Sequence, residues 1–126
     1  MTSEIPTIIG NYLQIARSAD PADADRIAAC FTEDGEVTDE GQTQRGRAAI
    51  RQWWQGPATI YDYTVQVRGS RALGGDRYVV FTRLTGNFPG GTADLADRFT
   101  LRDGLIAQLD ITPPVDGEEP DAPAAG

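Results

Sequence analysis

Apolar residues recur at helical spacing in the first half of the chain. Through residues 3–18, isoleucine, tyrosine, leucine and alanine return every three or four positions, which predicts an amphipathic helix. An Asp-Pro pair at 20–21 predicts the start of a second helix that reaches about Phe31. The segment GRAAIRQWWQG (46–56) predicts a third helix. These patterns make the N-terminal half mainly helical.

A period of two replaces the helical period after residue 60 and predicts a run of strands. The predicted strands are residues 61–73, 77–88, 93–102 and 105–112. Turn sequences rich in glycine separate them, as expected for hairpins. The segment EVTDE (36–40) alternates in the same way between the second and third helices. Helices followed by an antiparallel meander predict an α+β fold, in which a curved sheet and three helices enclose an apolar interior.

The chain is expected to form one domain, residues 1–112, followed by a tail, residues 113–126. A chain of 126 residues is long enough to bury a core. The tail PPVDGEEPDAPAAG has too little apolar surface to offset its ordering entropy, so we expect it to be disordered. The sequence shows neither an apolar run of about 18 residues nor a signal-peptide pattern. We therefore expect a cytoplasmic protein that does not enter a membrane.

Composition excludes several classes of chemistry. The net charge is −8, and all 11 cationic side chains are arginine, which argues against binding to nucleic acid or to an anionic membrane. The absence of histidine and lysine excludes a histidine-based triad, a Schiff base and a P-loop lysine. A single cysteine, Cys30, excludes an internal disulfide and a cysteine-rich zinc site. Any acid–base catalyst must be Asp, Glu, Tyr, Cys30 or a chain terminus.

One aspartate falls on the apolar face of a predicted strand. In LADRFTL (95–101), Asp97 shares a face with Leu95, Phe99 and Leu101, because successive strand side chains point to opposite faces. Arg98 falls on the other face and is expected to meet solvent. An aspartate among apolar side chains, as at Asp97, is the reverse of what solubility alone would favour.

Two more polar side chains fall on apolar faces. Asp39 alternates with Val37, and Tyr12 lies on the buried stripe of the first helix. Each has an ordinary structural explanation: a turn residue for Asp39, pairing with an arginine for Asp97, and core packing for Tyr12. Their shared orientation instead favours a polar site within an apolar interior.

Two blocks of the sequence resemble the nuclear transport factor 2-like superfamily, and within it the ketosteroid isomerase and SnoaL-like polyketide cyclase group. They are YLQIARSADPADADRIAACFTEDGEVTDEGQTQRGRAAIRQWW (12–54) and DRFTLRDGLIAQLDI (97–111). With the strand meander, the resemblance covers about residues 5–112. It implies a cone-shaped cystatin-like α+β barrel, with a curved antiparallel or mixed sheet packed on three N-terminal helices. It also implies a homodimer formed through the outer sheet face.

The resemblance implies catalytic roles for three residues. The helix tyrosine that serves the isomerase as an oxyanion donor corresponds to Tyr12, and the general-base aspartate corresponds to Asp39. The second oxyanion donor, an aspartic acid kept neutral by its apolar site, corresponds to Asp97. These roles imply cofactor-free proton abstraction next to a carbonyl, with stabilisation of the enolate. The alternative is a non-catalytic ligand-binding or dimerisation domain of the same fold.

The expected ligand is a hydrophobic small molecule with a carbonyl group, and we expect neither a cofactor nor a metal ion. Trp53 and Trp54 can serve as core residues or as a lid that stacks on a flat ligand. The face of Arg83 is left open by the alternation, and an inward Arg83 would keep Asp97 ionised. The side chains expected to bind substrate are Trp53, Trp54, Phe31, Val37, Phe81, Phe99 and Leu101.

Overall fold

A computed structural model describes residues 5–115 and 122–123 of the chain. The helices are α1 (Thr7–Ala16), α2 (Ala24–Ala29) and α3 (Arg47–Gln55), and short 3-10 turns lie at Pro21–Asp23 and Pro57–Thr59. The strands are β1 (Phe31–Asp39), β2 (Gln42–Arg45), β3 (Tyr63–Gly74), β4 (Arg77–Gly86), β5 (Thr92–Arg102), β6 (Leu105–Thr112) and β7 (Ala122–Pro123).

The strands form one mixed sheet in the order β2-β1-β6-β5-β4-β3-β7. Each described pairing is antiparallel except that of β1 with β6, which is parallel. Register shifts at Val67/Gly69 and at Thr100/Leu101 bend the sheet. The sheet is curved and unclosed, and together with the three helices it confirms the predicted α+β fold.

The first two helices are shorter than the sequence predicts. α1 begins at Thr7, after Pro6, whose carbonyl accepts the first helical hydrogen bonds. Asp20 caps the second helical segment as expected, since its carboxylate accepts a hydrogen bond from the Ala22 amide at 2.9 Å. Phe31, predicted near the end of that helix, instead opens β1.

Two strands were not predicted. β2 pairs with the second half of β1, but its sequence QTQR has no apolar residue to reveal a buried face. β7 pairs with β3 at Gly69 and Ser70, within the tail that was expected to be disordered. The remainder of the predicted tail beyond Val115, and residues 1–4, lie outside the described residues.

The main hydrophobic core lies between the helices and one face of the sheet, which we call the inner face. Its largest fully buried side chains include Trp54, Phe31, Phe99, Ile9, Ile27 and Ile50. A smaller cluster on the opposite, outer face consists of Val79, Phe81 and Ala96. β4 and β5 therefore carry buried apolar residues on both faces. No helix in the described part of the chain has the length and apolar character needed to cross a bilayer.

Candidate functional site

A cavity of about 1060 Å³ opens between the inner face of the sheet and the helices. The C-terminal half of α1, the end of α3 and strands β3 to β6 form its walls. The turn after α3 and the β4–β5 turn form its rim, where Ile60 is 74% exposed and Tyr61 is 42% exposed. Most of the lining is apolar or aromatic, as is typical of small-molecule pockets.

The three polar residues singled out in the sequence all line this cavity. Tyr12 comes from α1 and Asp97 from the middle of β5, and both are buried; Asp39 is the last residue of β1 and is half-buried. The structure thus brings together side chains that are far apart in the sequence.

The strand register explains how the two carboxyls meet. Ile111 of β6 pairs with Asp39 of β1 on one side and with Asp97 of β5 on the other. Neighbouring strands lie about 4.8 Å apart, so the two aspartate backbones are about 10 Å apart across the sheet. Residues paired in this way point to the same face of the sheet. The row of paired residues Asp39, Ile111 and Asp97 therefore places both carboxyls at the cavity wall.

Asp97 occupies an apolar environment. Its cross-strand neighbours are Val80 and Ile111, and none of the described residues forms a hydrogen bond with its carboxyl group. Burial, and to a smaller extent the charge of Asp39, raise the pKa of Asp97 to about 7. The carboxyl group is therefore neutral in mildly acidic solution and has a proton to donate.

The Asp39 carboxylate accepts a hydrogen bond from a neighbouring side chain. The indole Nε1–H of Trp53 donates a hydrogen bond to Asp39 Oδ2 at 3.1 Å. Burial raises the pKa of Asp39, the Trp53 hydrogen bond lowers it, and the neighbouring charge of Glu40 raises it. The net effect is a raised pKa, and of the two carboxyls Asp39 is the one that has a described hydrogen-bond donor to its anion.

Tyr12 is held by aromatic packing. Its ring meets Phe31 and Phe99 edge-on, with ring centroids 6.2 Å and 5.7 Å away. Burial, followed by the nearby charge of Asp97, raises the pKa of Tyr12 well above its ordinary value. The phenol stays protonated at neutral pH and, like Asp97, is a donor at the cavity wall.

Arg83 lies on the outer face and does not reach the site. Its Nε and Nη2 donate to the two carboxylate oxygens of Asp94 at 2.7 Å and 3.1 Å. Its strand neighbours Thr82 and Leu84 line the cavity instead. The question left open by the sequence is thereby answered, since the guanidinium that could have held Asp97 ionised pairs with a different aspartate. Arg98 shares the outer face with its cross-strand partner Val79.

A SnoaL-like domain model matches residues 13–109, most of the chain. The protein belongs to the SnoaL-like domain family. Comparison with curated proteins finds no match.

Solved structures resemble this SnoaL-like domain over most of its length. A proposed polyketide cyclase from Sinorhizobium meliloti is 31% identical, with a TM-score of 0.75, covering 86% of this chain and 95% of that chain. A Catenulispora acidiphila protein with a ketosteroid isomerase-like fold, solved with trimethylamine, is 18% identical, with a TM-score of 0.73 and 86% of each chain covered. SalBIII is an epoxide hydrolase/cyclase-like enzyme with a role in pyran ring formation in the polyether salinomycin. It is 22% identical, with a TM-score of 0.66, and the match covers 82% of this chain and 85% of that chain. The last two likenesses show the fold alone.

Two of the seven predicted substrate-binding residues line the cavity of the SnoaL-like domain. Trp53 and Trp54 end α3 with ring centroids 5.8 Å apart, and both are buried as well as cavity-lining. Trp54 is anchored by a 2.7 Å hydrogen bond from its indole N–H to the Asp20 carbonyl. Both tryptophans belong to the wall of the cavity, and neither lies over its mouth as an exposed lid.

The other five predictions need correction, because these side chains do not line the cavity. Four lie deeper, in or against the main core, where packed side chains fill the space below the level of Asp97; the fifth lies in the outer-face cluster. The four deeper residues are Phe31, Val37, Phe99 and Leu101, and the outer-face residue is Phe81.

The structure adds lining residues that sequence reasoning missed. Tyr63 is one of them; its hydroxyl donates a hydrogen bond to the Ala58 carbonyl, and burial raises its pKa. Ile111 forms the row between the two carboxyls. Thr82 lines the wall with a buried hydroxyl. The period-two alternation shows which residues share a face, but the depth of the cavity decides which of them reach it.

Proposed function

We propose that this SnoaL-like domain is a cofactor-free enzyme that removes a proton from a carbon next to a carbonyl in a hydrophobic small molecule. The observation that supports this function most is the gathering of Tyr12, Asp39 and Asp97 at one cavity wall. An ionisable base and two neutral donors are the groups that such a reaction requires.

In the proposed reaction, the Asp39 carboxylate takes the proton from the α-carbon. The C–H electron pair forms a carbon–carbon double bond, and the carbonyl oxygen gains negative charge. Tyr12 and neutral Asp97 donate hydrogen bonds to that oxygen, a type of stabilisation that commonly contributes about 3 kcal/mol per donor. Protonated Asp39 then returns the proton at another carbon in an isomerisation. In a cyclisation, the enolate carbon instead attacks a second carbonyl, whose oxygen becomes an alkoxide and takes the proton from Asp39.

The charge of the cavity favours an uncharged ligand. Its described lining contains carboxyl groups and aromatic rings but no arginine. An anionic substrate would enter without a cationic partner and would be repelled by ionised Asp39. We therefore assign the substrate to neutral, largely apolar carbonyl compounds.

Non-catalytic ligand binding is the second candidate function. The aromatic and acidic lining that rejects anions also suits a cationic amine, and a structural neighbour was solved with trimethylamine. Such a domain would bind ligands in the same cavity without proton transfer. Proton exchange distinguishes the two functions.

The test is deuterium exchange into the α-carbon of 2-tetralone in heavy water, followed by proton NMR. We predict that the wild-type protein accelerates exchange and that Asp39→Asn lowers the accelerated rate by roughly 10²–10⁴-fold, because a positioned base contributes about that much. Circular dichroism would verify that the variant keeps its fold.

Glu40→Gln is the matched control, because Glu40 is the adjacent carboxylate and also lines the cavity. We expect it to retain nearly the full exchange rate. Exchange by Asp39→Asn at the wild-type rate would contradict the role of Asp39 as base. Binding of the ketone by wild-type protein without accelerated exchange would favour the non-catalytic function.

A further inference from the structure

Thr82 has a buried hydroxyl for which the described part of the chain offers no partner. The residue is 1% exposed and lies in β4 at the cavity wall. None of the described residues forms a hydrogen bond with its Oγ1. A buried hydroxyl left unpaired opposes folding, so such groups are rare unless a ligand or water completes them.

The position of Thr82 relative to Asp97 is fixed by the sheet. Thr82 pairs directly with Leu95, and Val80 pairs with Asp97, so Thr82 and Asp97 are diagonal neighbours on the inner face. Diagonal neighbours lie about 7–8 Å apart. Leu84, two residues along β4 from Thr82, also lines the cavity. Thr82 is thus one row nearer the rim than Asp97.

A ligand with its carbonyl at Tyr12 and Asp97 would extend towards the rim past Thr82. The directly opposite side chain, Leu95, is apolar and contributes no hydrogen-bonding group. Thr82 is therefore the side chain that carries a hydrogen-bonding group on an otherwise apolar stretch of wall, which it forms with Leu84 and Leu95. It can both donate to and accept from an uncharged oxygen.

We propose that Thr82 forms a second polar subsite, which binds a hydroxyl or carbonyl oxygen on the rim side of the reacting carbonyl. This inference rests on the proposed function and narrows its substrate class to neutral carbonyl compounds that carry a second oxygen. The Thr82 hydroxyl is a specificity-determining group, and its partner is supplied by the ligand.

The test compares ligands with one and two oxygens. The probes are 2-naphthol and a set of naphthalenediols with differently spaced hydroxyls, and calorimetry gives each Kd. For wild-type protein we expect at least one diol to bind about 5–10-fold more tightly than 2-naphthol, the gain of one hydrogen bond. We expect Thr82→Val to bind the diol and 2-naphthol about equally, and Thr82→Ser to keep the wild-type preference for the diol.

Two controls accompany the binding test. Thr85→Val makes the same replacement at an exposed position of β4 on the outer side, and it should keep the diol preference. Thr32→Val removes a buried hydroxyl that does have a partner, Asp34 Oδ1 at 2.9 Å, and should lower Tm by about 3–5 °C. Thr82→Val should not lower Tm, because it removes a hydroxyl without a described partner.

The outcomes separate this inference from the proposed function. An unchanged diol preference in Thr82→Val, a lack of any diol preference in wild-type protein, or a Tm loss like that of Thr32→Val would overturn the subsite. A wild-type protein that binds neither naphthol nor diol would contradict the donor site itself, and with it the proposed function.

Discussion

Two aspartates of β5, Asp94 and Asp97, lie on opposite faces of the strand, and their pKa values are shifted in opposite directions. Asp94 lies on the outer face, where the hydrogen bonds from Arg83 lower its pKa. Asp97, three residues later, lies on the inner face, where burial raises its pKa to about 7. The difference arises from orientation, because the side chains are chemically identical.

Asp97 makes stability depend on pH in a defined direction. Its pKa in the folded state, about 7, lies above the ordinary value of 3.8. Between those values the unfolded chain releases the proton while the folded protein keeps it, so the free energy of unfolding falls as pH rises. Asp97→Asn replaces the titrating carboxyl and so removes this pH-dependent fall in the free energy of unfolding. We predict that, from about pH 5 to about pH 8, wild-type protein loses about 2–3 kcal/mol relative to the variant in urea titrations.

Asp94→Asn is the control for this prediction. The lowered pKa of Asp94 leaves its carboxyl ionised in both the folded and the unfolded state over that pH range. Its stability difference from wild-type protein should therefore stay constant between about pH 5 and about pH 8. A constant difference for Asp97→Asn as well would show that the Asp97 carboxyl is solvated.

The sequence predicts the orientation of some residues and not of others. Asp97 could be assigned to the inner face because β5 alternates clearly around it. The face of Arg83 could not be assigned, and Phe81 was wrongly assigned to the cavity. The reason is that β4 carries consecutive apolar residues at Val79, Val80 and Phe81 and is buried on both faces. In such a strand the alternation does not distinguish the inner face from the outer face.

At the scale of elements, the rim of the cavity depends on a close approach between the segment before β3 and the end of β4. The Asp62 amide donates to Asn87 Oδ1 at 3.0 Å, and the Asn87 amide donates to the Asp62 carbonyl at 3.1 Å. Tyr61 and Phe88 pack with ring centroids 6.0 Å apart. These contacts join the two rim segments.

Gly86 permits this approach. A Cβ atom at Gly86 would lie 2.2 Å from the Asp62 carbonyl oxygen, so the backbone would have to move. We predict that Gly86→Ala destabilises the protein by about 2 kcal/mol or more, as measured by urea unfolding. Because the rim would shift, ligand affinity should fall as well.

Gly10→Ala is the matched comparison. Gly10 lies within α1, and a Cβ there would meet no atom within 4 Å. Alanine is the better helix former, so this variant should gain about 0.5–1 kcal/mol of stability. Equal effects of the two substitutions would show that the rim does not require a glycine.

Element boundaries followed the sequence where periodicity was strong. α3 and the strands of the meander lie within a few residues of their predicted bounds. β2 could not be predicted because an exposed edge strand buries no alternating face, and β7 lies in a segment of polar and small residues. The pairing of both strands is set by their neighbours in the sheet.

At the scale of the whole molecule, the site depends on long-range register. The sequence indicates that Asp39 and Asp97 face inward, but the row through Ile111 exists only because β1 pairs in parallel with β6. The cavity depth, which excludes four of the predicted substrate-binding residues, likewise follows from packing across the whole domain. Dimerisation through the outer face of the sheet stays a prediction.

The central claim is that Asp97, one of the two carboxyl groups of the cavity, keeps its proton up to about pH 7 and is neutral in mildly acidic solution. Carbon-13 NMR of labelled aspartate carboxyl groups measures this most directly, with Asp39→Asn and Asp97→Asn assigning the signals. We predict one carboxyl with a titration midpoint near 7, which disappears in Asp97→Asn and moves to lower pH in Asp39→Asn because the neighbouring charge is lost. An Asp97 that titrates near its ordinary value of 3.8 would contradict the account.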